Sequence, residues 1–156
     1  MLFDPNHEAA FGRLANELRL APAPAPELFS RVVADACRRL PILRSAGKTA
    51  QLDRLIEAEA WTDAALALLA LELPGWKLRR LVYEDGEWIC SLSKHRELPD
   101  WLDDAAEARH ETLALAIVAA FVEAQSRAAD ADRVSIPTVP QEPRATDCAL
   151  CCDNFA

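Results

Sequence analysis

The stretch Trp76–Ser93, WKLRRLVYEDGEWICSLS, constrains the fold of this chain more than any other. Glu84-Asp85-Gly86 is turn chemistry set between two strand-like runs, the signature of a β-hairpin. Its register follows from the alternation of side chains across a strand. Trp76, Leu78 and Val82 share one face of the first strand, with Arg80 the exception. Trp88, Cys90 and Leu92 share one face of the second. A two-residue Asp85-Gly86 loop would set Val82 opposite Ile89 and mix the faces. A three-residue loop with Gly86 left-handed sets Val82 opposite Trp88 and aligns both apolar sets. The sequence therefore predicts the three-residue loop, with a bulge. The other face, Lys77, Arg79, Leu81, Tyr83, Ile89 and Ser91, is mixed. Leu81, Tyr83 and Ile89 need cover, from the N-terminal segment or from a second subunit.

A two-stranded hairpin alone is marginal in water, so helices must flank it. Only four glycines are present and alanine and leucine dominate the apolar residues, which favours helix. Residues from about Asn6 to Leu20 carry Phe11, Leu14 and Leu18 at helical spacing. The run Ala21–Pro26, APAPAP, is a stiff extended spacer. A second helix from about Glu27 places Leu28, Val32, Ala36 and Leu40 on one face and ends before Pro41. From about Lys48 the helical pattern resumes through Leu52, Leu55 and Ile56, and Thr62 is a plausible N-cap for a restart. Ala64–Leu71, AALALLAL, is apolar nearly all round, as in a helix covered on more than one side. Residues 94–107 read as a charged connection. A long helix is expected from about Glu107 to Arg127, with Leu113, Ile117, Phe121 and Ala124 in one stripe and Val118 and Val122 beside it. From Ala128 onward the sequence is polar and Pro-punctuated, and reads as a tail.

The expected class is α+β. The core is an αββα unit at 48–129, preceded by a helical N-terminal arm at 1–47 that contains the Ala-Pro spacer. The tail, 130–156, carries three of the chain's five cysteines. The run WTDAALALLALELPGW, then the hairpin, then ARHETLALAIVAAFVEA resembles uncharacterised bacterial and phage domains of the ABA-sandwich type. The likeness spans roughly residues 60–127 and rests on Leu73, Pro74, Gly75, Trp76 and the helical pattern. It implies a fold and no activity.

The chemistry-bearing motifs are sparse. Ser45-Ala46-Gly47-Lys48-Thr49 holds the end of a phosphate-binding loop, but the position that needs the first glycine is Ile42. His110-Glu111 could open a zinc-protease helix, but the second histidine position is Ala114, and one imidazole cannot hold catalytic zinc. His7 and His95 are isolated. The carboxylates at Glu84, Asp85 and Glu87 and at Asp100, Asp103, Asp104 and Glu107 lie on a turn and a polar connection, and read as solvated. Cys37 and Cys90 occupy apolar faces and read as core.

Cys148 and Cys151 have the C-x-x-C spacing that lets two thiolates reach one metal, and Cys152 could supply a third ligand. No second C-x-x-C or H-x-x-H completes the set. A redox pair is disfavoured because Asp147 and Asp153 raise the thiol pKa. These three cysteines are the only metal candidates, and neither a catalytic residue nor a cofactor is expected.

The formal net charge is −8 and the sequence pI about 4.9, so phosphate backbones and anionic membranes repel the chain. Lys77, Arg79 and Arg80 read as a solvated strand face rather than a nucleic-acid footprint. The longest apolar run, Leu113–Val122, is about ten residues against the roughly twenty a membrane span requires. With no export signal apparent, a cytoplasmic location is expected. The function expected is a small, non-catalytic protein–protein interaction or adaptor module. The alternatives are an acidic secretion-chaperone-like dimer and a metal- or thiol-dependent protein using the cysteine cluster. A homodimer is expected because the strand Glu87–Ser93 holds one charge and no proline, and so is poorly defended against edge pairing. The wide apolar arc of the helix at 109–127 points the same way.

Overall fold

The computed structural model describes residues 5–99 and 101–134. In chain order the elements are α1 (Pro5–Leu20), α2 (Pro26–Ala36), α3 (Leu40–Ser45), α4 (Ala50–Glu57), α5 (Trp61–Glu72), β1 (Lys77–Glu84), β2 (Glu87–Ser93), β3 (Ala106–His110) and α6 (Leu113–Val134). The class is α+β, with a three-stranded antiparallel sheet in the order β1-β2-β3.

One helix end and one helix cap differ from the sequence expectation for local reasons. The helix expected through Leu40 stops at Ala36, and Pro41 lies in the first turn of α3 rather than beyond a helix end. Proline is tolerated there because first-turn N–H groups have no intrahelical partner. The segment from Lys48 is two helices, α4 and α5, separated where Glu59 takes a positive φ of 55°. The N-cap of α5 is Ala60, so Thr62 lies inside the helix instead of capping it.

The hairpin loop has two residues, not three: Glu84 pairs with Glu87 and Val82 with Ile89. Asp85 and Gly86 both have positive φ, 52° and 87°, as the tight turn matching strand twist requires. The bulge lies within β1, where Arg79 is the extra residue between Leu78 and Arg80. That insertion reverses the phase of the strand. Leu78 and Leu81 therefore stand opposite Leu92 and Cys90 and pack on the helix-side core. The apparent exception at Arg80 was the sequence trace of this bulge.

The second difference is β3. Ala106–His110 was expected to be the end of a connection and the start of a helix, and it is a strand with a buried–exposed alternation. Ala106 pairs with Leu92, Ala108 with Cys90 and His110 with Trp88. β2 is thus the central strand, and the edges are β1 and β3. The edge that looked undefended in sequence is paired on both sides.

α6 runs from Leu113 to Val134, past the Ala128 at which the periodicity weakens. Ile117, Val118, Phe121, Val122 and Ala124 are buried in it. β2, β3, α1, α2 and α5 all pack against it. Phe11, Leu14 and Leu18 of α1 and Phe29, Val32 and Ala36 of α2 belong to the same buried cluster as Leu68 of α5 and Phe121 of α6. The wide apolar arc of α6 is therefore covered within one chain and no longer argues for a partner. Among the described residues no helix is long and apolar enough to cross a membrane.

Candidate functional site

The connection from β2 to β3 is fixed at two points by arginines. Arg79, displaced by the β1 bulge, donates to the carboxylate of Asp103 and, through Nη2 at 3.0 Å, to the carbonyl of Leu98. The Asp103 side chain is 2% exposed, so this carboxylate is buried and not solvated as its neighbours in sequence suggested. Arg127 of α6 reaches the same connection from the helix layer. Its Nη1 donates to Asp104 Oδ1 at 2.7 Å and to the Ala105 carbonyl at 2.6 Å, while its Nε holds Glu123 at 3.0 Å. Between the fixed points a tight turn bonds the N–H groups of Leu102 and Asp103 to the Pro99 carbonyl.

On this braced turn Trp101 is 82% exposed and Leu102 53% exposed. A tryptophan offers roughly 200 Å² of mostly apolar area, and leaving it in water forgoes a large burial term. Its backbone is held while its ring is free, the arrangement in which an aromatic anchor costs least entropy to engage.

The interior holds a second cluster, around Glu72 at the end of α5. One oxygen accepts N–H groups of Arg38 and Arg39, each at 3.1 Å, and the other accepts the N–H of Leu40. Gln125 Nε2 of α6 donates at 3.3 Å. Glu72 thus satisfies the first N–H of α3, for which Arg39 provides no side-chain cap. All its neighbours are donors, and the residue is buried. It fastens α5 to the start of α3 and to α6. Burial, and next the nearby Glu72, push the Cys37 thiol well above its ordinary range. Burial, and then Glu107, raise Cys90 to about 12. Neither thiol is a nucleophile at neutral pH.

His110 ends β3 rather than starting a helix. Its Nδ1 accepts the Thr112 N–H at 2.8 Å, which leaves Nε2 to donate to the Ala21 carbonyl at 3.0 Å. Both nitrogens are committed, and the ring ties β3 to the end of α1. Gly47 adopts a φ of 70° in the turn before α4, a helix-terminating role that needs no phosphate. Tyr83 stacks on Trp88 with ring centroids 5.2 Å apart and is itself 58% exposed. An open cleft of about 430 Å³ lies between the starts of α5 and α6, bordered by Trp61, Asp63, Thr112 and Leu113. Of its lining carboxylates, Asp63 lies in the first turn of α5, where it opposes the positive end of that helix.

Among the described residues no group of three or more His, Cys, Asp or Glu side chains is placed to hold a metal ion. Cys148, Cys151 and Cys152 lie outside the described residues, as do Asp100 and the side chain of His7. Sequence reasoning missed Glu72, Asp103 and the exposure of Trp101. Glu72 did carry a signal, as the lone charge closing an otherwise apolar helical run. Asp103 carried none, since nothing local separates it from Asp104. Compared with protein-family models, curated proteins and solved structures, the chain matches none.

Proposed function

We propose that this protein is a non-catalytic interaction module that engages a protein partner through the β2–β3 turn. The observation that carries the reading is Trp101, exposed on a turn whose backbone is fixed by Arg79 and Arg127. An aromatic held ready on a rigid support is the usual centre of binding energy at a protein interface. The interior supports the same reading: the buried Glu72 and His110 side chains are engaged by structural partners, and the thiols of Cys37 and Cys90 are held protonated.

The test replaces Trp101 with a photoreactive phenylalanine analogue, crosslinks in lysate of the source cells, and purifies the protein captured. Its affinity for the wild-type chain should exceed that for Trp101→Ala at least about tenfold, as for an interface anchor. Failure to capture a partner, or equal affinity for the two chains, refutes the reading.

A second reading concerns self-association, and a separate observation favours it. β1 is a sheet edge, and its outer half, Arg80–Glu84, carries exposed Arg80, Tyr83 and Glu84. The module is homodimeric through that edge. Sedimentation equilibrium at tens of micromolar is the direct measurement, and a 17.2 kDa species alone rejects this reading.

A further inference from the structure

The edge of β1 has a chemistry specific enough to name its occupant. Glu84 and Glu87 flank a two-residue turn, so they form a pair that exchanges both backbone hydrogen bonds. Such pairs alternate along an antiparallel ladder, so Val82↔Ile89 is of the same kind while Tyr83↔Trp88 and Leu81↔Cys90 are not. The N–H and C=O groups of Leu81 and Tyr83 consequently point away from β2. No other described backbone group bonds them. They are a short row of unpaired donors and acceptors, open to another strand.

The first half of the strand is closed to such pairing. Arg79 is the bulged residue, and its side chain is occupied by Asp103 and the Leu98 carbonyl. Above the second half there is room. α6 packs on β2 and β3 and not closely on β1, so the helix layer leaves the outer strand overhanging.

We infer that β1 pairs antiparallel with β1 of a second copy of this chain, about a two-fold axis at Val82, to form a continuous six-stranded sheet. The inference rests on the dimer reading above and fixes its register. Only residues whose backbone groups point outward can form the hydrogen-bonded pairs, which restricts the registers to Leu81↔Leu81, Leu81↔Tyr83 and Tyr83↔Tyr83. The middle one alone sets Arg80 opposite Glu84 of the second copy, and by symmetry Glu84 opposite its Arg80. Opposite charges directly across a pair are favourable and like charges are not. In this register Val82 meets its own copy on the face away from the helices, and Leu81 meets Tyr83 on the helix-side face. Tyr83, 58% exposed in the single chain, gains the cover it lacks. The five-residue segment Arg-Leu-Val-Tyr-Glu is thus complementary to itself when reversed, as a two-fold contact requires.

The test uses the full chain and three proteins: wild type, Arg80→Glu and Glu84→Arg. Sedimentation equilibrium at tens of micromolar should give the wild type about twice 17.2 kDa and each variant 17.2 kDa alone. An equimolar mixture of the two variants should return to the doubled mass. In that mixed pair both cross-strand contacts unite Glu with Arg, whereas the Arg80–Glu84 contact within each chain stays like-charged, so recovery cannot come from within a chain. Far-UV circular dichroism of each variant confirms the fold. A wild type of 17.2 kDa overturns the dimer itself. A dimeric wild type whose single variants remain dimeric, or whose variants fail to recover on mixing, overturns the register and leaves dimerisation by another surface.

Discussion

Replacing Glu72 with alanine isolates the largest polar commitment in the interior. Four donors converge on this carboxylate: the N–H groups of Arg38, Arg39 and Leu40, and the side-chain amide of Gln125. Leu40 and Gln125 are buried and have no route to water, whereas Arg38 and Arg39 are exposed and regain solvent bonds. Each buried donor left unsatisfied costs about 1–3 kcal/mol, so two amount to roughly 2–6 kcal/mol. Removing the desolvation penalty of the charge offsets part of this, and the expected net loss is about 3–4 kcal/mol. At a urea m value of about 1.5–2 kcal/mol/M the midpoint should fall by roughly 1.5–2.5 M. Glu72→Gln keeps one acceptor but turns an NH₂ group toward other donors, so it should lose about half as much. Amide exchange should quicken most at Arg38, Arg39 and Leu40, where the bonds are deleted. A Glu72→Ala midpoint within about 0.3 M of wild type, at unchanged m, would refute the account.

Asp103→Ala leaves the Arg79 guanidinium, whose side chain is 19% exposed, without its carboxylate and should cost about 3–5 kcal/mol; limited proteolysis should then cut first between residues 94 and 105, and an unchanged cleavage pattern would show that the ion pair does not fix the turn. The raised thiol of Cys90 binds its proton longer in the folded chain than in the unfolded one, where the ordinary value is 9.0. Its contribution is therefore full below pH 9 and is lost as pH rises toward about 12. Cys90→Ala should flatten the fall in thermal midpoint across that window, and curves that stay parallel would contradict it.

What the sequence made legible was what local periodicity controls. The stripe Phe11, Leu14 and Leu18 and the buried face of α6 are each set by 3.6-residue spacing, and each appears as expected, whereas α5, apolar nearly all round in sequence, buries one face and leaves Leu66 37% exposed. The hairpin was legible because Asp-Gly and alternating apolar residues are contiguous. Its register was misread because one inserted residue, Arg79, shifts the phase, and a bulge inside a strand leaves the same alternation defect as one at the turn. β3 was missed because Ala106–His110 is short and has charged outward positions, and its alternation competes with a helical continuation into α6. The Arg79–Asp103 and Glu72–Leu40 contacts join residues 24 and 32 positions apart, so no window of sequence contains both partners. Trp101 was visible as a residue but not as a surface, since its exposure depends on where two distant arginines hold the turn.

The packing of α1 on α6 sets an order of events during synthesis. The stripe of α1 is translated roughly a hundred residues before the helix that covers it. At typical rates of about 5–20 residues per second, Phe11, Leu14 and Leu18 wait on the order of 5–20 s for their cover. α2 can cover α1 in part during that interval, because the two also pack on each other. The full core cannot close until α6 leaves the ribosome, so this chain completes its fold late.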